Sequence, residues 1–191
     1  YKRQVDARQL KAENMVKLPV IVYNRKSQED VFISAVSLRR KLELEAVQGQ
    51  KNGGKYIRPI VLFQAQPKNN ADSTTYEKIK HTLMDMGIPE SEIAIKTADK
   101  DELKNIDLSS PDCGIRYIIT VNALKEGWDC PFAYILATVA NRTSSIDVEQ
   151  ILGRILRLPN TRKNKREVLN LSYVITSSNA FYAVSYTHLT L

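Results

Sequence analysis

Residues 60–63 read Ile-Val-Leu-Phe and residues 117–119 read Tyr-Ile-Ile. A strand with one wet face alternates polar and apolar residues, whereas a strand buried on both faces reads as a continuous apolar run. These two runs therefore predict central strands, at 59–64 and 116–121, of a sheet covered on both sides. Four more stretches rich in β-branched residues predict strands at 19–23, 92–96, 134–140 and 168–176. Between them, apolar spacing predicts helices over 28–46, 75–86 and 145–158. Gly87 and Pro89 mark the expected stop of the second. Strands alternating with helices predict βαβ units, hence a three-layer α/β domain with a mostly parallel central sheet. In such a domain ligands are expected beyond the carboxyl ends of the strands.

Composition narrows the classes of function. The chain has 191 residues, 43% hydrophobic and 26% charged, as ordinary globular domains do. A chain of this length buries roughly 70% of its unfolded surface and needs no disulfide or metal to fold. The longest nearly apolar run, 132–140, is far short of the ~20 residues of a membrane helix. Cys113 and Cys130 form no C-x-x-C pair, and there are only two histidines. That argues against a zinc site and for a reduced, cytoplasmic setting. The net charge is +7, and it is unevenly placed. Residues 1–60 hold 13 Lys/Arg and 6 Asp/Glu, while residues 61–191 hold 15 of each. A basic first third can meet phosphate backbones or simply keep the chain soluble.

Loops are expected at 48–55, with Gly49, Gly53 and Gly54, at 66–73 and at 159–166. Residues 1–17 read as an incoming arm, 18–180 as the domain and 181–191 as a tail. Residues 184–191 resemble translated sequencing-adaptor sequence and are left out of the fold reading. The chain begins Tyr1-Lys2-Arg3 without Met, as a fragment of a longer protein is expected to.

Two stretches carry candidate chemistry. Ser145 to Pro159 reads SIDVEQILGRILRLP. On a helix, Val148, Ile151, Leu152 and Ile155 form a core stripe, and Gln150, Arg154 and Arg157 share the opposite face. Two guanidinium forks there suit a phosphate, although surface arginines serving solubility look the same. Gly153 allows close approach of backbone or ligand. Thr120 to Pro131 reads TVNALKEGWDCP, directly after a buried strand. Gly127 permits unusual backbone, and Asp129 can accept from a ribose hydroxyl or pair with an arginine. Trp128 reads as core, lid or stacking surface.

Together, G-W-D-C-P and, 21 positions after Asp129, Q-x-x-G-R-x-x-R resemble motifs V and VI of superfamily 2 helicases. The stretch 124–159 is most similar to the helicase subunit of Type III restriction enzymes and their DEAD/DEAH-like relatives. The flanks AENMVKLPVIVYN and VLNLSYVITSS fit the same family, and the strand 57–64 matches motif IV by position. The resemblance implies a second, C-terminal RecA-like motor domain. It implies that Arg154 and Arg157 act as arginine fingers, and that Gly127, Asp129, Gln150 and Gly153 bind ATP. Nucleic-acid contacts are implied at Gln64, Asn122 and Lys125. The implied cofactors are ATP and Mg²⁺, the metal being held by an upstream motor domain of the same chain. Implied partners are DNA, a nuclease domain and a modification or specificity subunit, with no membrane.

No G-x-x-x-x-G-K-[ST] loop and no acidic D-E-x-[HD] motif occurs, so both are expected upstream and this chain alone is expected not to hydrolyse ATP. Val121 stands where many family members carry a backbone-contacting Thr. Glu90, Glu102 and Lys104 superficially match a nuclease pattern, but Glu102 lies in a polar segment unsuited to converging carboxylates. Residues 162–166 read as a solvated turn or a phosphate-backbone contact. Arg39-Arg40-Lys41 reads as surface charge, or as a nucleic-acid contact, on a helix whose apolar face includes Val36, Leu38, Leu42 and Leu44. The alternative to a motor is a non-catalytic nucleic-acid-binding or regulatory module that kept the fold.

Overall fold

A computed structural model of the chain describes residues 16–69, 71–121, 129–140, 152–153, 155–180 and 182. Among them, six strands form one all-parallel sheet: β1 (Val20–Asn24), β2 (Ile60–Gln64), β3 (Ile93–Ile95), β4 (Tyr117–Thr120), β5 (Ala133–Thr138) and β6 (Ser172–Thr176). Their order is β1-β6-β5-β2-β4-β3. This is the covered, mostly parallel α/β sheet that the unbroken apolar runs predicted, and it fits the RecA-like domain that the resemblance implied. Every residue of β2 through β6 is buried, so side chains on both faces are covered. Val61, for example, sits in register with Tyr117 on one side and Ile135 on the other.

Helix α1 (Gln28–Lys51) starts where Ser27 caps it, the hydroxyl accepting from the Asp30 amide at 3.1 Å. Glu29 and Asp30 in the first turn suit the positive end of the helix. Val31, Phe32, Ala35, Val36, Leu42 and Ala46 are buried. Phe32 meets Phe63 of β2 with ring centroids 5.6 Å apart, and Phe63 stacks on Tyr117 of β4 at 6.4 Å. Burying side chains of this size contributes roughly 1.5–3 kcal/mol each. The helix continues five residues beyond its expected end at 46, through Gly49. Arg166 and Asn164 pack beside that glycine, 3.8 to 4.0 Å from where a Cβ would stand.

The expectation of surface charge at Arg39 is corrected. Arg39 is 5% exposed, donates to the Tyr117 hydroxyl at 2.9 Å and pairs with Glu43 at 2.8 Å. Its aliphatic stem packs in the core while its head finds polar partners. Leu44, expected on the apolar face, is instead 72% exposed.

Helix α2 (Tyr76–Asp85) is capped by Thr75 and buries Ile79 and Leu83. It stops at Gly87, whose φ of +84° lets the Gly87 and Ile88 amides return to Met84 and Leu83. The largely irregular chain from 97 to 116 is held by Arg58, only 1% exposed. Its guanidinium donates to the carbonyls of Ile115 (2.8 Å), Ser110 (2.9 Å) and Leu108 (2.5 Å) and to the Tyr56 hydroxyl (3.0 Å). The expected strand at 168–176 is shorter than predicted, because Glu167–Asn170 forms a 3₁₀ turn. The Asn170 side chain exchanges hydrogen bonds with the Asn164 backbone, which ties that turn to the loop before it.

Candidate functional site at the amino end of strand β5

Asp129 precedes β5, and the turn behind it is closed by a bond from the Ala133 amide to the Cys130 carbonyl, 2.9 Å. Arg157 lies far along the chain, yet its guanidinium pairs with the Asp129 carboxylate. Both side chains are open to solvent, 52% exposed for Arg157 and 36% for Asp129. The sequence predicted their proximity, but two features of the placement are corrected. Arg157 is not helical: its backbone forms an antiparallel bridge with Val16, so the expected helix does not reach 158, and residues 145–151 and 154 of that expectation lie outside the described residues. The pair also sits at the amino end of β5, not beyond the carboxyl ends of the strands.

Lys17 organises this corner. It is wholly buried, and its ammonium donates to the carbonyls of Pro131 (2.9 Å), Ala133 (3.0 Å) and Arg157 (2.7 Å). The same Nζ lies 4.4 Å from the centre of the Tyr134 ring. The Lys17 amide donates to the Leu156 carbonyl, and the Ser172 hydroxyl donates to the Lys17 carbonyl at 3.0 Å. One residue thereby ties the incoming segment to both the Asp129 turn and the Arg157 backbone. Burial pushes the ammonium down to about 7, against the charges of Cys130 and Asp129. Three carbonyl acceptors and an aromatic face also favour its charged form. The sequence reading assigned Lys17 to an arm; the available signal was a lone lysine entering the apolar stretch LPVIVY.

Burial also pushes the Cys130 thiol up to about 11, which leaves it unreactive at neutral pH. Asp129, Cys130, Phe132, Pro159 and Asn160 line a cavity of about 890 Å³ beside the pair. That is ample for a small phosphorylated ligand.

Other candidate residues fall as follows. Leu152 and Ile155 of the predicted core stripe are buried, and Gly153 lies exposed in a turn. Gln64 is 1% exposed, and its carbonyl accepts from the Thr138 hydroxyl at 2.8 Å. Asn122, Lys125, Gly127, Trp128, Gln150 and Arg154 lie outside the described residues. Glu90 pairs with Lys80 at 2.6 Å, and Glu102 accepts from the Ile95 amide at 2.7 Å, each with its own partner. Among the described residues no three His, Cys, Asp or Glu side chains gather around a metal position. None of the described helices is long and apolar enough to cross a membrane.

A solved structure of the ATP-dependent Type ISP restriction-modification enzyme LlaBIII bound to DNA aligns over 95% of this chain, with a TM-score of 0.51 and 14% identity. The fold is shared. This chain spans 14% of the length of that enzyme. The C-terminal domain of S. cerevisiae Dbp5, bound to Gle1 and IP6, aligns over 89% of this chain and 82% of its own length, with a TM-score of 0.48 and 15% identity. No family model and no curated protein matches the chain.

Proposed function

We propose that this chain is the second RecA-like motor domain of an ATP-dependent DNA helicase or translocase of Type III restriction type. In this reading it faces a nucleotide held mainly by a first motor domain, and the whole protein works on DNA. The observation that supports it best is the solvent-open Asp129–Arg157 pair, set by a buried lysine and carried on the motif spacing G-x-D…Q-x-x-G-R-x-x-R.

The residues present fit a nucleotide phosphate. Arg157 is permanently charged and presents a planar fork to its partner. An exposed ion pair is worth only about 0–1 kcal/mol, so Arg157 exchanges one oxyanion for another at little cost. Asp129, released, accepts from a ribose hydroxyl. Lys17 keeps the Arg157 backbone in place during that exchange. Bound ATP with Mg²⁺ would supply the phosphoryl group, the metal being held by the partner motor domain. Arg154 joins Arg157 as a second finger, and such fingers contribute on the order of 10³–10⁵ in rate. Gln150, Gly127 and Gly153 complete the nucleotide contacts. Asn122, Lys125 and Gln64 are assigned to the nucleic-acid side.

The decisive test joins this chain to a first motor domain, in the full-length protein. Arg157→Ala should leave the unfolding midpoint almost unchanged, since its side chain is half exposed, but lower ATP turnover at least 100-fold. Arg157→Lys should restore little, because a point charge does not reproduce the fork. Near-normal ATPase in Arg157→Ala overturns the reading, as does turnover by this chain alone.

A further inference from the structure

A second cavity, of about 630 Å³, lies between the end of α1 and the loop leading to β6. One wall is the glycine-rich turn with Gly49, Gly53 and Gly54; the other is the basic loop from 159 to 168. Five cations line it, Lys55, Arg162, Lys163, Lys165 and Arg166, against Glu45 and Glu167. Arg166 already pairs with Glu45 across the walls. Among the described residues, the other four cations make no ion pair.

The cup is preformed. The Asn164 amide donates to Asn170 at 2.7 Å, Asn170 returns a bond to the Asn164 carbonyl at 2.9 Å, and the Arg166 amide donates to Asn164 at 2.9 Å. Asn170 is itself 7% exposed. A loop fixed in this way loses little further freedom on binding. Glycine is required on the facing wall: a Cβ on Gly54 would lie 2.7 Å from the Gly49 carbonyl oxygen. At the rim, Asn160 and the β-branched Thr161 adopt φ of +58° and +48°, unusual backbone for which ordered neighbours must compensate.

We infer that this cup binds a compact polyphosphate anion. Four cations with no ion pair among the described residues line one small cavity and repel one another until a multiply charged anion neutralises them. Its size suits a small ligand, not a duplex. Single-strand sites interleave basic residues with aromatic stacking platforms, and no aromatic residue lines this cavity. The cup shares Lys55, Pro159 and Asn160 with the cavity beside the Asp129–Arg157 pair, but Arg162, Lys163, Lys165 and Arg166 line the cup alone, and the inference does not depend on the motor reading.

The experiment is calorimetric titration of this chain with inorganic tripolyphosphate at physiological salt. Arg162→Gln/Lys165→Gln should weaken binding at least tenfold, and Arg162→Glu/Lys165→Glu should abolish it. Both positions are on an exposed loop, and the thermal melting curve of each variant checks the fold. A charge-matched control, Lys26→Glu/Lys41→Glu, should bind as wild type. Absence of tripolyphosphate binding overturns the inference. So does equal weakening by the control, which means diffuse attraction, or loss of binding in Arg157→Ala, which places the anion in the other site. A single-stranded oligonucleotide that displaces tripolyphosphate from the cup at lower concentration than tripolyphosphate itself binds also overturns it.

Discussion

Lys17 takes a charge-bearing group into the protein interior, and its pH behaviour follows. An unfolded lysine titrates near 10.4, whereas the buried one titrates near 7. Between those values the unfolded chain holds more protons than the native state, so this residue's contribution to stability rises with pH across that window. Below about pH 7 its contribution stays at its lowest. Denaturant unfolding at pH 7 and pH 9 should therefore show wild type gaining on Lys17→Met; an identical gap at both pH values would contradict it. Gly87 gives a second residue-scale expectation. Nothing lies within 4 Å of a Cβ built there, so Gly87→Ala meets no clash, only the unfavourable φ of +84°. The substitution should cost about 1 kcal/mol in an equilibrium melt.

At the scale of elements, the strands were legible because burial on both faces writes itself into the chain: IVLF and YII have one structural explanation. The end of α1 was not, because Gly49 looks like a breaker unless one knows that Arg166 and Asn164 occupy the space beside it. The start of β6 was hidden for a similar reason: Val168 and Leu169 continue the apolar pattern, while the Glu167–Asn170 turn is tied by the Asn170 side chain to Asn164. The Asp129–Arg157 pairing was legible through motif spacing, but its position at the amino end of β5 was not, since spacing carries no direction. Lys17 was illegible because its carbonyl partners lie 114 to 140 residues away. Arg58 belongs to the same class. Its fork satisfies three carbonyls of an irregular segment, so Arg58→Lys should leave at least one buried acceptor unpaired. A loss of about 2 kcal/mol is expected, with faster amide exchange confined to 104–116. Uniformly faster exchange would show that Arg58 supports the whole sheet instead.

For the whole molecule, the charge surplus lies in the first 60 residues, while the remainder is balanced. A track built from that third predicts weak, sequence-independent binding of single-stranded oligonucleotides. Affinity should fall steeply and linearly on a log–log salt plot, as released counterions dictate. Fluorescence titration at rising salt measures the slope; binding that ignores salt would leave the +7 as a solubility charge. Arg162→Gln/Lys165→Gln lies outside that third and should leave the oligonucleotide affinity unchanged.

The bridge between Val16 and Arg157 makes the corner a mechanical junction. Tension along the incoming chain meets Lys17 before it meets β1, and Lys17 is bonded to Leu156, Arg157 and the β5 turn. A pull at residue 16 thus loads the backbone that carries the Arg157 guanidinium directly, while the five paired positions of β1 and β6 behind it resist as a parallel ladder in shear. Whatever moves the chain upstream of residue 16 has its hand on the arginine first.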